Sequence, residues 1–389
     1  KRWPSDSGLH VPMVVYFPKK WEHLAPKEYK AGGKSDRLVS FVDLAPTLLS
    51  LAGVQPPDWM QGFAFAGKYQ TEPQPYVYGF RGRMDERYDF VRSVTDGRFV
   101  YLRNYMPHLS QGQHVAYQFE TPTTQVWRSL FDQGKTNAEQ SIFWNEMKSS
   151  EELYDLQSDP DEVHNLAGKP EHATTLAKMR QAQESLALRI RDTDFLPEGE
   201  IHSRSEGSTP YDIAHDDKAY PLERIMATAG AASSLKAEDV PALKKAMSDP
   251  DSAVRYWATM GLRMRGKEAT ATSHGELTKA LHDSSSYVQT AAAWALGRNG
   301  NEDDLKQALP LLLNMADWNK YNVFTVMAAL NAIGDLGKKA APIADQLKNL
   351  PTQGAAPDGR FKEYVPRLLK DLTGVEGAKP KPKKGRQAQ

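Results

Sequence analysis

Lys1-Arg-Trp-Pro-Ser-Asp-Ser-Gly-Leu-His10-Val-Pro-Met-Val-Val-Tyr-Phe-Pro18 reads as a loop feeding an apolar run. Val11 to Phe17 is too apolar for an exposed strand, which predicts a strand covered on both faces. A covered strand needs neighbours, and only ten loop residues stand before it here. The first residue is Lys rather than Met. The expectation is the later part of a larger catalytic domain, entered just before its last parallel strand.

Working outward, a Gly/Lys/Pro loop from Lys19 to Lys34 leads to a helix, Asp43-Leu-Ala-Pro-Thr-Leu-Leu-Ser-Leu-Ala-Gly53. Asp43 is placed to cap it, Pro46 falls in the first turn where its missing N–H costs nothing, and Gly53 stops it. Strand, loop and capped helix in that order are α/β grammar. From Tyr76 the texture turns to short strands: Tyr76–Phe80, then Phe90–Val94 and Arg98–Leu102 as a hairpin around Asp96-Gly97, then Glu152–Leu156. Pro170 to Asp192 reads as a long helix with Leu176, Met179, Leu186 and Ile190 on one face. Thr193 to Tyr220 is polar, rich in Gly and Pro and without periodicity, the mark of a connection.

The last third repeats itself. Asp249–Gly266 matches Asp283–Gly300 in register, and Thr325–Gly337 is a third copy, each an Ala-rich amphipathic helix ending at Gly. A spacing in the thirties signals stacked helix pairs, and the pattern resembles HEAT-type repeats. The tail after Ala378, Lys-Pro-Lys-Pro-Lys-Lys-Gly-Arg, is low in complexity and is expected to be disordered.

Composition excludes several classes. With 49 basic and 49 acidic residues there is no electrostatic case for nucleic acid or an anionic membrane. No apolar run approaches the ~20 residues that cross a bilayer. The absence of cysteine removes disulfides, thiolate metal sites and a Cys nucleophile from these residues. Aromatics make up 10% of the chain and crowd into the first 150 residues. Surfaces of that kind suit sugar stacking, and cores use most aromatics.

Lys1, Gly8, His10, Val11 and Pro12, followed by the apolar run to Pro18, resemble the segment before the last core strand of sulfatases in the alkaline-phosphatase superfamily. The resemblance continues through Ser35–Gly53, and Glu152-Leu-Tyr-Asp-Leu-Gln-Ser-Asp-Pro-Asp-Glu-Val-His-Asn-Leu-Ala167 is similar to that family's C-terminal signature. The resemblance implies a fold in parts. Residues 1–69 would be an α/β remnant, the last core strand and helix of a sulfatase domain. Residues 70–192 would be an α+β C-terminal subdomain with a small antiparallel sheet plus helix. A linker over 193–219, an all-α module of HEAT-like helical repeats over 220–376 and a disordered basic tail over 377–389 would follow.

The activity implied is hydrolysis of sulfate esters, or N-sulfate, of a carbohydrate or glycosaminoglycan-like polysaccharide. The family uses a formylglycine made from Cys or Ser in a Cys/Ser-x-Pro-x-Arg motif, beside a divalent cation, usually Ca2+. Neither that motif nor the metal carboxylates are found here in the right context, so both are expected upstream, in a missing N-terminal half, and the isolated chain is expected to be inactive. Of the catalytic centre only Lys1 carries over, as an ammonium facing sulfate oxygens; in the isolated chain it is a solvated terminal lysine. His10 replaces the family's usual Arg, and two roles stay open: contact with the sugar, or bracing of its own loop.

Phe80-Arg-Gly-Arg-Met-Asp-Glu-Arg-Tyr-Asp89 is the remaining candidate, with Arg81, Arg83, Asp85 and Glu86 as substrate-binding residues. Arg forks recognise sulfate and carboxylate, while Asp and Glu accept from sugar hydroxyls. The alternative is a loop whose charges pair among themselves. His108 and His114 are weaker candidates, and His164 and Asn165 read as turn residues rather than metal ligands. Two further function classes stay open: a non-catalytic helical-repeat binding module, and a phosphoesterase or phosphonate hydrolase of the same superfamily. Location in a periplasm or outside the cell is implied by the family.

Overall fold

The structure is a computed structural model in which residues 3–374 are described. Lys1 and the expected basic tail 377–389 lie outside the described residues. The chain forms two compact units. One takes the residues up to Gly82 with Asp89–Met106 and Asn137–Asp192; the other takes Arg83–Tyr88, Pro107–Thr136 and the chain from Thr193 onward. Among the described residues no helix is long and apolar enough to cross a membrane.

The first unit is built on a four-stranded antiparallel meander in sequence order: β1 (Val77–Arg81), β2 (Val91–Thr95), β3 (Phe99–Asn104) and β4 (Glu151–Asp155). The Asp96-Gly97 turn forms as expected. Gly97 sits at φ +93°, and the Asp96 carboxylate accepts the amides of Arg98 and Phe99. A left-handed position of this kind favours glycine. Val94, Tyr101 and Leu153 stand in register across three strands and meet Met179 of α2 (Ala173–Ile190), where α1 is the shorter helix Leu44–Leu51. The period-2 and period-3.6 patterns thus close one core between sheet and helix.

Two features differ from expectation. Val11 to Phe17 carries no strand ladder, and Val14 and Tyr16 are 93% and 74% exposed. Only Phe17 goes inside, against Phe65, Ala66 and Tyr29, which also takes its amide proton. Apolar residues make a strand only where a neighbour accepts their backbone bonds, and among the described residues none stands beside this run. Asp43 does not cap α1 through its side chain. A 3-10 turn, Phe41–Asp43, precedes the helix, so the Asp43 carboxylate closes a reciprocal box with Ser40 and accepts the Phe63 amide. The outer side of this region leaves Phe41, Val42 and Leu48 exposed.

The second unit stacks helices. Residues 193–219, read from the sequence as a linker, fold as a 3-10 turn Thr193–Phe195, helix α3 (Glu198–Arg204) and a short helix Pro210–Ala214. Phe195 and Leu196 are buried, and Trp257 donates its indole N–H to the Phe195 carbonyl at 2.8 Å, which holds the stretch in place. Helices α4 (Leu222–Ser234), α5 (Ser252–Met264), α6 (Ser286–Asn299), α7 (Glu302–Met315), α8 (Val323–Leu336) and α9 (Phe361–Thr373) then pack on one another in turn. The polar entries of the sequence copies are helix caps: Asp251, Ser285 and Asn322 each accept amides in the first turn of α5, α6 and α8. The copies are also tied together. Arg255 forks onto Asp283 at 2.7 and 2.8 Å, and buried Glu200 accepts both Ser252 and Ser285.

Candidate functional site

The segment that starts at Trp3 is laid on the sheet face opposite α2. Trp3 packs on Val91, Val100, Leu102 and Tyr154. The Arg81 guanidinium lies 4.8 Å from its ring and the Lys148 ammonium 5.7 Å. Cations over an indole face are attracted by its quadrupole, more strongly where water is excluded. Behind them lies Asp89, fully buried. It accepts two contacts from Lys148, at 3.0 and 3.1 Å, and the Phe90 amide at 2.8 Å, with Arg81 at 3.5 Å. Burial pulls the Lys148 ammonium below the ordinary lysine value, against the opposing pull of Asp89. Glu152, also buried, accepts Asn104 and Tyr154, each at 2.7 Å, and burial raises its carboxyl.

Residues after Trp3 are held as tightly. The Asp6 amide donates to Glu162 at 2.9 Å. Gly8 has no room for a side chain, since a Cβ there would sit 2.1 Å from the Trp3 carbonyl oxygen. Glu162 is held at φ +54°, and burial pushes its carboxyl up to about 7, helped by the nearby charges of Asp6 and Glu152. The folded state therefore binds a proton that the unfolded chain releases near its ordinary value of ~4.3. This contribution to stability is full below about pH 4 and is lost as pH rises through about 7. After discounting for partial exposure, the change is on the order of 1–2 kcal/mol. Urea unfolding at pH 5 and pH 8 checks it: Glu162→Gln, which keeps an acceptor for the Asp6 amide, is expected to lose less stability across that range than wild type. Parallel curves would defeat the assignment.

The sequence candidates fall in different places. Arg81 belongs to this buried cluster of the sheet unit. His10 is exposed, with Nδ1 3.4 Å from the Asp6 carboxylate. The others lie in the helical unit. Arg83 forks onto Glu198 with Nε–Oε distances of 2.7 Å, and its side chain is largely covered there. Asp85 sits at φ +50° in a tight turn closed by mutual bonds of Met84 and Arg87. Glu86 is buried; its side chain accepts the Ala116 amide at 2.6 Å and faces Arg367 at 3.7 Å. Arg87 reaches Asn331 at 2.9 Å and pairs with Asp371, which also faces His114 at 3.2 Å. His108 is buried edge-on to Trp294. These charges are engaged with the helical unit, so a ligand reaching Arg83 or Glu86 would have to displace an ion pair or a buried amide. His164 and Asn165 are turn residues: the Asp159 carboxylate accepts the His164 amide, and Asn165 bonds the backbone of β4.

Sequence reading passed over Trp3, Asp89, Lys148 and Glu162. Trp3 stood in plain view beside Lys1. Lys148, far along the chain in a polar stretch, gave no signal. Among the described residues no three His, Asp or Glu side chains converge as cation ligands would, and no Cys or Ser-x-Pro-x-Arg occurs in the chain. The described residues thus do not fit either group that the resemblance implies.

Residues 1–77 match the family model of the C-terminal region of N-sulphoglucosamine sulphohydrolase, and residues 288–317 match that of the PBS lyase HEAT-like repeat. An ulvan-active sulfatase of Formosa agariphila is 38% identical over 219 residues, which are 56% of this chain and 35% of that protein. Another ulvan-active sulfatase of the same organism is 32% identical over 45% of this chain and 32% of its own length. An N-acetylglucosamine-6-O-sulfatase of Bacteroides thetaiotaomicron is 23% identical over 50% of this chain and 28% of its own. The chain spans about a third of the length of the curated relatives it matches. A protein solved with its substrate D-glucosamine-2-N,6-O-disulfate aligns at a TM-score of 0.25 and 20% identity, over 39% of this chain and 24% of that one; no argument rests on it. The N-terminal region of this chain is thus similar to the C-terminal region of sulfatases, and a stretch of its helical unit to HEAT-like repeats.

Proposed function

We propose that this chain is the C-terminal part of an enzyme that hydrolyses sulfate esters of a polysaccharide, with ulvan the first substrate to test. The observation that carries the reading is the 38% identity over 219 residues to an ulvan-active sulfatase. The exposed run Val11 to Tyr16 and the exposed Phe41, Val42 and Leu48 support it, because an apolar surface of that extent marks a place where protein packs. The formylglycine and Ca2+ would then be held by residues outside this chain, and the chain alone would not turn over substrate.

The part this chain plays is electrostatic. Lys1 would set a compact positive charge against sulfate oxygens, where negative charge grows on the bridging oxygen as the ester bond breaks. His10 is exposed, its ring at a long contact from the Asp6 carboxylate, which would leave it open to a sugar hydroxyl or to its own loop. A polymeric substrate would put the enzyme in a periplasm or outside the cell.

The full-length protein offered ulvan, an N-sulfated glycan, 4-nitrophenyl sulfate and 4-nitrophenyl phosphate is expected to release sulfate, fastest from ulvan, and little phosphate. Faster release of phosphate would turn the reading to a phosphoesterase. No sulfate from any of them would end it.

A further inference from the structure

We propose that the loop Lys19–Lys34 is a binding site for an anionic polysaccharide, in which Trp21 stacks on a sugar ring and the lysines beside it meet sulfate or uronate groups. The inference takes the class of polymer from the reading above and adds a place where this chain grips it. Charge is concentrated here by the sequence. Residues 19–34 hold five lysines against Glu22 and Glu28, a local surplus of three positive charges in a chain whose total is zero. Glu28 is moreover taken up by Arg37 at 2.8 Å. All five lysines are exposed, and among the described residues no carboxylate pairs with them.

The fold presents these groups on a fixed backbone. The loop opens as a 3-10 turn, Lys19–Leu24, in which the Trp21 amide donates to the Pro18 carbonyl at 2.7 Å. Leu24, Ala25 and Tyr29 turn inward onto Phe17, Phe65 and Ala66, and the Gly67 amide donates to the Leu24 carbonyl at 2.8 Å. Trp21 takes no part in that packing. It stays 48% exposed, with the Lys20 ammonium 4.8 Å from its ring centre and the His23 ring 6.1 Å away. Leaving an indole in water forgoes the burial that stabilises most aromatic side chains, so packing does not account for this one. A flat ring beside unpaired ammonium groups matches a charged sugar. Its face covers the C–H side of a pyranose, and the cations pair with the acidic substituents. Single-stranded nucleic acid is the poorer match, because it calls for a run of stacking rings along a continuous basic groove. Holding the backbone in advance lowers the ordering cost of binding.

The test measures binding of the full-length protein to ulvan, to chemically desulfated ulvan and to neutral dextran, by calorimetry and affinity electrophoresis. Wild type is expected to bind ulvan, to bind the desulfated polymer ~10-fold more weakly and to ignore dextran. Trp21→Ala should weaken ulvan binding ~10-fold, and Trp21→Tyr, which keeps a stacking ring, should hold most of the affinity. The double variant Lys19→Glu, Lys20→Glu should weaken it by a similar factor, and that loss should shrink as salt rises to about 0.5 M. Ulvan affinity within twofold of wild type in Trp21→Ala and in the double variant overturns the site. So does single-stranded DNA bound as tightly as ulvan with the same losses, or a Tm lowered by ~5 °C or more in Trp21→Ala, the mark of a packing indole. Wild type that binds ulvan through this loop yet releases no sulfate removes the function proposed above and keeps the site. Wild type that desulfates ulvan while its binding ignores the substitutions removes the site and keeps the function.

Discussion

Lys1→Ala in the full-length protein, on the function proposed above, is expected to slow desulfation by about 10²–10³-fold, the usual cost of deleting one preorganised group that faces developing charge. The loss should appear in kcat, because on that proposal the transition state loses a counter-charge that the ground state needs less. Binding of the desulfated polymer should be retained, since on that proposal the ammonium would face the leaving sulfate and not the sugar. Lys1→Arg would restore charge but not the compact point geometry, and should recover only part of the rate. Kinetics on ulvan, with calorimetry on the desulfated polymer, separate these terms. Turnover equal to wild type in Lys1→Ala would remove the catalytic role of this residue.

Lys148→Met carries the second large effect, on stability. It leaves the Asp89 carboxylate buried without the ammonium that now sits 3.0 Å away. Breaking one partner of a buried pair typically costs 3–5 kcal/mol, because the remaining charge stays out of water. Arg81, at 3.5 Å, offsets a portion, which puts the expectation for urea unfolding at about 3 kcal/mol. The double variant Asp89→Asn, Lys148→Met should regain half or more of that loss, since an amide costs far less to bury than a carboxylate. A single-variant cost below about 1 kcal/mol would show the pair to be solvated in the folded protein.

How much of this could be read in advance follows the range of the forces. The hairpin at Asp96-Gly97 and the stripe of Leu176 and Met179 on α2 are local patterns, and both elements formed within a few residues of their expected bounds. The helical copies were legible for the same reason: Asp251 and Ser285 cap the helices that follow them. The run from Val11 was legible as apolar, but a strand is a pairwise object and its pairing partner is not a property of its own residues. The charged loop 80–89 shows the limit most clearly. Its composition suited a ligand, yet Arg83 meets Glu198 and Arg87 meets Asn331 and Asp371, partners far away along the chain.

By itself, then, the sequence determined short-range matters: the hairpin at Asp96-Gly97, the long helix after Pro170, that the last third repeats, and that the opening residues resemble a sulfatase. Tertiary structure alone decided which charges are buried and with whom. It brought Trp3, Arg81, Asp89 and Lys148 together and gave Arg83 and Arg87 partners within the helical unit. The physical reason is that a side chain's hydration, and with it the strength of its charge, depends on neighbours that folding assembles from distant parts of the chain.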